Sequence, residues 1–231
     1  MPQLYIGNKN YSSWSMRPWV LMKQAGIAFD EVMVPFDADG TAFDPDSHFK
    51  KTVEAINPAG RVPVLVDGDI VVYDTLAICE YLAENHPDKS LWPRDKARRA
   101  HARSVCAEMH AGFGALRNHC GMNIEADLRE QGRIILRDQP QVRADLARIV
   151  QMWSGLLKAH GGPMLFGDFG IADAYFAPVG VRIKTFALPV PADITAYIER
   201  VQQLPGVKAW IDEALVEKRF VVMDEPYRVQ R

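Results

Sequence analysis

The chain has 231 residues, 48% of them apolar and 24% charged, enough for one large or two small folded domains and too apolar for a disordered chain. Lys and Arg total 27 against 29 Asp and Glu, a formal net charge of -2, so no basic excess asks for a nucleic acid partner. Cys79, Cys106 and Cys120 form no CxxC pair and no metal-ligand spacing, no apolar run is long enough to span a bilayer, and Met1 to Asn10 lack a signal-peptide pattern. The expectation is a cytoplasmic protein with reduced thiols, no metal and no membrane partner.

Leu4-Tyr5-Ile6 is short and β-prone and predicts a first strand, followed by a polar loop over Asn8 to Ser13. Met16 to Ala25 suits a helix, with Pro18 in its first turn and Gly26 where it ends. Phe29 to Val34 predicts a second strand and Asp37 to Ser47 a loop. Val62 to Val66 and Ile70 to Tyr73 flank Asp67-Gly68, a strong hairpin signal. Asp74 or Thr75 caps the next helix, which runs to about Asn85. Pro87 and Pro93 mark 85–95 as a linker. Beyond it, helical segments fit near 96–118, 124–134, 140–159, 171–183, 192–202 and 206–216. The basic stretch Arg94, Lys96, Arg98, Arg99 alternates with alanines and reads as a solvated helix face. The organisation is therefore a mixed α/β unit over 1–84 and an all-helical unit over 96–231.

Three segments carry chemistry. Ser12, Ser13 and Ser15 lie where a strand passes into a helix. Unpaired N–H groups at a helix start favour an anion, and a hydroxyl there can donate to a thiolate and lower its pKa. Plain helix capping is the competing role. Val62-Pro63 opens a strand at a residue that cannot donate to the ladder; a cis bond there would leave the Val62 backbone free to pair with an extended peptide. Asp74-Thr75 opens a helix that can hold a carboxylate, with Asp74 able to attract an ammonium. A peptide bearing an ammonium, carboxylates and a thiol would satisfy all three.

In order and spacing, these segments resemble the cytosolic glutathione transferase superfamily. The match runs from Leu4 to about Trp210. It rests on Ser12-Ser13-Trp14-Ser15-Met16-Arg17, on Asn57-Pro58 through Val62-Pro63-Val64-Leu65, on Asp74-Thr75-Leu76-Ala77-Ile78-Cys79-Glu80-Tyr81-Leu82, and on Gly167-Asp168-Phe169-Gly170-Ile171-Ala172-Asp173-Ala174. The resemblance implies a thioredoxin-like N-terminal domain and an all-α bundle. It implies glutathione as co-substrate, conjugated to a small electrophile, and a homodimer. The serine loop is similar to that of the zeta, theta and tau classes, with the catalytic serine five residues before an arginine. That places it at Ser12, with Arg17 as the arginine, Ser13 second and Tyr11 third. The resemblance also implies that Val62, beside a cis Pro63, pairs with the cysteinyl backbone, and that Asp74 and Thr75 hold the γ-glutamyl end. Lys50, Lys51 or Arg61 would neutralise the glycyl carboxylate. Gly170 stands where relatives carry Ser or Thr, with Asp173 still able to reach back to the backbone.

For the second substrate, Cys106, His110, Phe113 and Arg117 fall on one stripe of the 96–118 helix and Val105, Met109 and Leu116 on another. The second stripe reads as core. Of the first, His110, Phe113 and Arg117 are the pocket candidates, with Trp14 at the mouth. Glutathione-dependent isomerisation of a maleyl-type diacid, served by Arg117, is a second expectation. A non-catalytic binding module on the same fold is a third.

Overall fold

The computed structural model describes residues 1–230. Four strands, β1 (Gln3–Ile6), β2 (Asp30–Met33), β3 (Val64–Asp67) and β4 (Ile70–Tyr73), form one sheet in the order β2-β1-β3-β4. β1 runs parallel to β2 and antiparallel to β3, and β3 and β4 make the hairpin expected around Asp67-Gly68. Side chains alternate across the sheet. Leu4, Ile6 and Leu65 face the main core with α1 (Ser13–Ala25) and α3 (Thr75–Asn85). Tyr5, Val64 and Val66 face a smaller cluster with Phe49 and Val53 of α2 (His48–Glu54), a short helix that the sequence reading left unassigned. Ser47 caps it by accepting from the Lys50 N–H.

Seven helices follow: α4 (Lys96–Ala111), α5 (Gly114–His119), α6 (Arg129–Asp138), α7 (Pro140–His160), α8 (Ile171–Thr185), α9 (Ala192–Gln203) and α10 (Pro205–Glu217). Every residue of α8 except Lys184 is buried, which makes it the axis of the bundle. α1 packs against α8 and α10, so one apolar cluster runs unbroken from the sheet into the bundle. The fold joins a thioredoxin-like layer to an all-helical unit, as the sequence predicts.

Three boundaries differ from expectation. The 96–118 helix breaks at Gly112 and at Phe113, which adopts a left-handed φ of 55°. The 124–134 helix starts only at Arg129. The Ile124 and Glu125 N–H groups are instead taken by the Asn10 side chain, and that of Ala126 by Asn123. α1 begins at Ser13 and not at Met16, so Pro18 lies inside it. A proline there cannot donate to the Trp14 carbonyl one turn earlier. The Thr75 hydroxyl donates to that carbonyl instead, at 3.3 Å.

At α8, Asp173 Oδ2 accepts from the Gly170 N–H at 3.1 Å, the reach-back expected of a capping box. Gly170 has its own reason: a Cβ there would lie 2.8 Å from the Leu91 carbonyl oxygen.

Candidate functional site

Two adjoining cavities open at the start of α1. One, of about 390 Å³, is lined by Trp14, Val62, Pro63, Asp74, Thr75 and His110, among others. Its neighbour, of about 380 Å³, is lined by Tyr11, Ser12, Ser13, Phe36, Arg182 and Asp224, among others. Trp14, Arg61, Val62 and Arg117 belong to both walls.

The first cavity is the polar one. The Val62–Pro63 bond is cis. Neither the N–H nor the C=O of Val62 is engaged by the described residues, so both remain available to an extended ligand. Asp74 caps α3 by accepting from the Leu76 N–H at 3.0 Å, and its second oxygen lies 3.3 Å from His110 Nε2. His110 Nδ1 lies 2.7 Å from the Tyr175 hydroxyl. One imidazole thus links α4 and α8 to the start of α3. Thr75 is buried with its hydroxyl given to Trp14, which leaves its position at the α3 N-terminus to act on a ligand.

The second cavity carries the hydroxyls. Ser12 Oγ lies 2.7 Å from Ser15 Oγ, which in turn accepts from the Gly7 N–H at 3.2 Å. A hydroxyl is both donor and acceptor. Ser12 donates to Ser15 here, so giving its proton to a ligand means turning the hydroxyl from Ser15 toward the cavity. Ser13 Oγ accepts from Arg182 Nη2 at 3.0 Å, which leaves its own proton free. Tyr11 differs. Its hydroxyl donates to Glu225 at 2.7 Å, and burial together with that carboxylate raises its pKa far above the ordinary phenol value. Its proton is thus engaged by Glu225 in this structure.

Behind the serines lie two buried guanidiniums. Arg17 bonds to the Tyr175 and Ser13 carbonyls and stacks over the Trp14 ring at 4.1 Å. Arg182 bonds to the Arg117 and Cys120 carbonyls besides Ser13. Burial lowers their pKa values to about 10 and about 9, so both stay charged at neutral pH. Each has one guanidinium nitrogen buried without a partner, Arg17 Nη2 and Arg182 Nε. Their charge, added to the α1 dipole, gives the serine end a positive potential.

Among the residues predicted to bind, Lys50 and Lys51 line neither cavity. They pair with Glu54 at 3.1 Å and Asp46 at 3.0 Å. Arg61 lines both. The pocket stripe is corrected by the helix break: Phe113 is buried in the main core and lines neither cavity, while His110 and Arg117 do. Cys106 is core as well. Val105, Met109 and Leu116 are buried as expected. Sequence reasoning missed Arg182 and Asp224. No local signal marks Asp224; for Arg182 the signal was an arginine in a largely apolar helix.

Residues 11–85 match the family model of the glutathione S-transferase N-terminal domain. The chain is 31% identical to the maleylacetoacetate isomerase of Pseudomonas aeruginosa, over 87% of this chain and 90% of that one. It is 27% identical to glutathione S-transferase 1 of Dianthus caryophyllus, over 94% and 89%. A glutathione transferase homologue from Burkholderia, solved with bound glutathione, superposes with a TM-score of 0.67 over 92% of this chain and 97% of that one, at 22% identity.

Proposed function

This chain belongs to the glutathione transferase superfamily, and from that premise we propose that it holds glutathione in the first cavity and transfers its thiolate to an electrophile in the second. The observation that carries the reading is the junction of the two cavities. There the serine hydroxyls at the start of α1, backed by Arg17 and Arg182, meet the free backbone of Val62 beside a cis proline.

In this reading Val62 pairs with the cysteinyl backbone like an added strand. Asp74 takes the γ-glutamyl ammonium, and the first N–H groups of α3 take the adjacent carboxylate. Arg61, and not Lys50 or Lys51, neutralises the glycyl carboxylate, because it alone of the three lines the cavities. The sulfur then sits at the α1 N-terminus. Ser12 donates to it, with Ser13 beside it and two cations behind, and each favours thiolate over thiol. Holding the tripeptide removes much of the entropy cost of the encounter. The nucleophile belongs to glutathione, so the enzyme needs no covalent intermediate. No described helix is long and apolar enough to cross a membrane.

The test is Ser12→Ala. Loss of one preorganised donor is expected to cost roughly 10²-fold in turnover and to raise the kinetic pKa of bound glutathione. The same measurements on Ser13→Ala rank the two hydroxyls. An unchanged pKa and turnover in Ser12→Ala would remove it from this role.

A second reading, glutathione-dependent isomerisation of a maleyl-type diacid, is favoured by Arg61, Arg117 and Arg182 around the second cavity and by the near-full-length isomerase relative. Assaying a maleyl-type substrate against a halogenated aromatic separates the two reactions.

A further inference from the structure

Asp224 is the one carboxylate on the wall of the second cavity among the described residues, and the thiolate chemistry above gives it no task. It lies at the end of a 3-10 turn, Val222–Asp224, in the tail that folds back over the site. The neighbouring Glu225 is fully employed: it accepts from Tyr11 at 2.7 Å and from Asn123 at 2.9 Å, and it pairs with Arg228. The Asp224 side chain, by contrast, takes no hydrogen bond from the described residues and faces the space the electrophile would fill. Around it stand Arg61, Arg117 and Arg182, the Tyr11 phenol, and Glu225 behind.

We infer that the Asp224 carboxyl is the general acid for conjugate additions at this site, protonating the carbon that becomes basic when the thiolate adds to an activated alkene. The inference rests on the transferase reading. In the step, the glutathione sulfur forms a bond to the β-carbon of an α,β-unsaturated carbonyl compound. The alkene π pair moves onto the α-carbon and its carbonyl as an enolate. The Asp224 proton passes to the α-carbon, and the carboxylate left behind is reprotonated from solvent. The sum is addition of a thiol S–H across C=C, with nothing oxidised or reduced. The substrate class so assigned is enones, enals and unsaturated acid derivatives. Burial and the Glu225 charge raise the Asp224 pKa to about 6, against the opposing pull of Arg182, so the group holds a proton closer to neutrality than an exposed aspartate would.

The chemistry supplies its own control. Displacement of halide from a chlorodinitrobenzene forms the same C–S bond but requires no proton on carbon. Asp224→Asn is expected to lower kcat/KM for a simple enone by roughly 10²-fold more than for the aryl halide, the lower range for general acid catalysis. The solvent deuterium isotope effect on the enone reaction should be present in the unaltered enzyme, weakened in Asp224→Asn and recovered in Asp224→Glu. Equal losses on both substrates would show a structural role and overturn the assignment. So would an unaltered enone rate, or an enzyme that turns over aryl halides but no enone. Failure of the unaltered enzyme to turn over either substrate would instead strike the transferase reading itself.

Discussion

Three buried cations, Lys9, Arg17 and Arg182, gather around the first loop and α1, and the fold treats them differently. Lys9 is tied to Glu31 and Glu213 and lies over the Trp19 and Trp210 rings, a cation neutralised in place. Arg17 has only carbonyls and ring faces around it, and Arg182 has carbonyls, the Ser13 hydroxyl and, without a direct bond, the nearby Asp224 carboxyl. A buried charge with no directly bonded counterion is costly, and the field of both cations reaches the cavity. Arg182→Met is therefore expected to raise the kinetic pKa of bound glutathione by roughly one unit, the low end for an opposite charge a few ångströms away. It should also lower the melting temperature, because the Cys120 and Arg117 carbonyls lose their donor. A variant with a lowered melting temperature and an unshifted kinetic pKa would make Arg182 purely structural. At the other cavity, Asp74→Asn is expected to raise KM for glutathione with kcat nearly kept, the pattern of lost uniform binding. Steady-state kinetics at varied glutathione would show it. Both serines, Val62 and Asp74 were legible because each sits beside a local signal: a helix start, a proline or a hairpin. Arg182 was not, since its partners Ser13 and Cys120 are remote in sequence.

At the scale of elements, the helix breaks show what periodicity misses. The stripe running through His110, Phe113 and Arg117 is real as a sequence pattern. The chain nevertheless turns at Gly112, whose N–H closes α4 on the Glu108 carbonyl, and Phe113 accepts a left-handed backbone to place its ring in the core. Burying a phenylalanine, worth about 1.5–3 kcal/mol, offsets the roughly 1–2 kcal/mol cost of that backbone state. A close approach also fixes α6. A Cβ on Gly132 would lie 1.9 Å from the Phe186 carbonyl oxygen. Alanine's higher helix propensity, about 1 kcal/mol, does not offset a backbone collision, so Gly132→Ala should unfold at lower temperature in calorimetry. Asp173, which anchors α8, gives a pH test. Burial raises its folded pKa to about 6, even though Leu165 N–H, Gly170 N–H and the Tyr197 hydroxyl donate to it. The folded protein then holds the proton more tightly than the unfolded chain between the ordinary aspartate value and about pH 6. This group's contribution to stability falls as pH rises through that window and is level above it. The stability advantage of the native protein over Asp173→Asn, from denaturant titrations, should accordingly be larger at pH 4 than at pH 7.

For the whole molecule, the tail is what closes the site. Val221 is buried in the smaller core with Tyr11 and Phe36, Glu225 gathers Tyr11, Asn123 and Arg228, and Tyr227 donates to the His119 carbonyl at 2.7 Å. Glu225→Ala leaves Tyr11 with only the Arg219 carbonyl, Arg228 with only Glu125, and Asn123 without this acceptor. It should cost about 1–3 kcal/mol, the penalty of leaving a buried polar group unsatisfied, and raise KM for the electrophile more than for glutathione. Kinetics and denaturant titrations on the same variant check both. The composition, the strand–helix–strand–hairpin–helix order and the serine, Val62-Pro63 and Asp74-Thr75 segments were determined by the sequence alone, because each follows from neighbours within a few residues. Tertiary structure alone decided which stripe residue is core, that Lys50 turns to Glu54 and away from the cavities, and that Arg182 and Asp224 line the second cavity. Those outcomes depend on contacts between segments a hundred or more residues apart, or on how one helix face is oriented by the elements packed on it, and no local pattern encodes either.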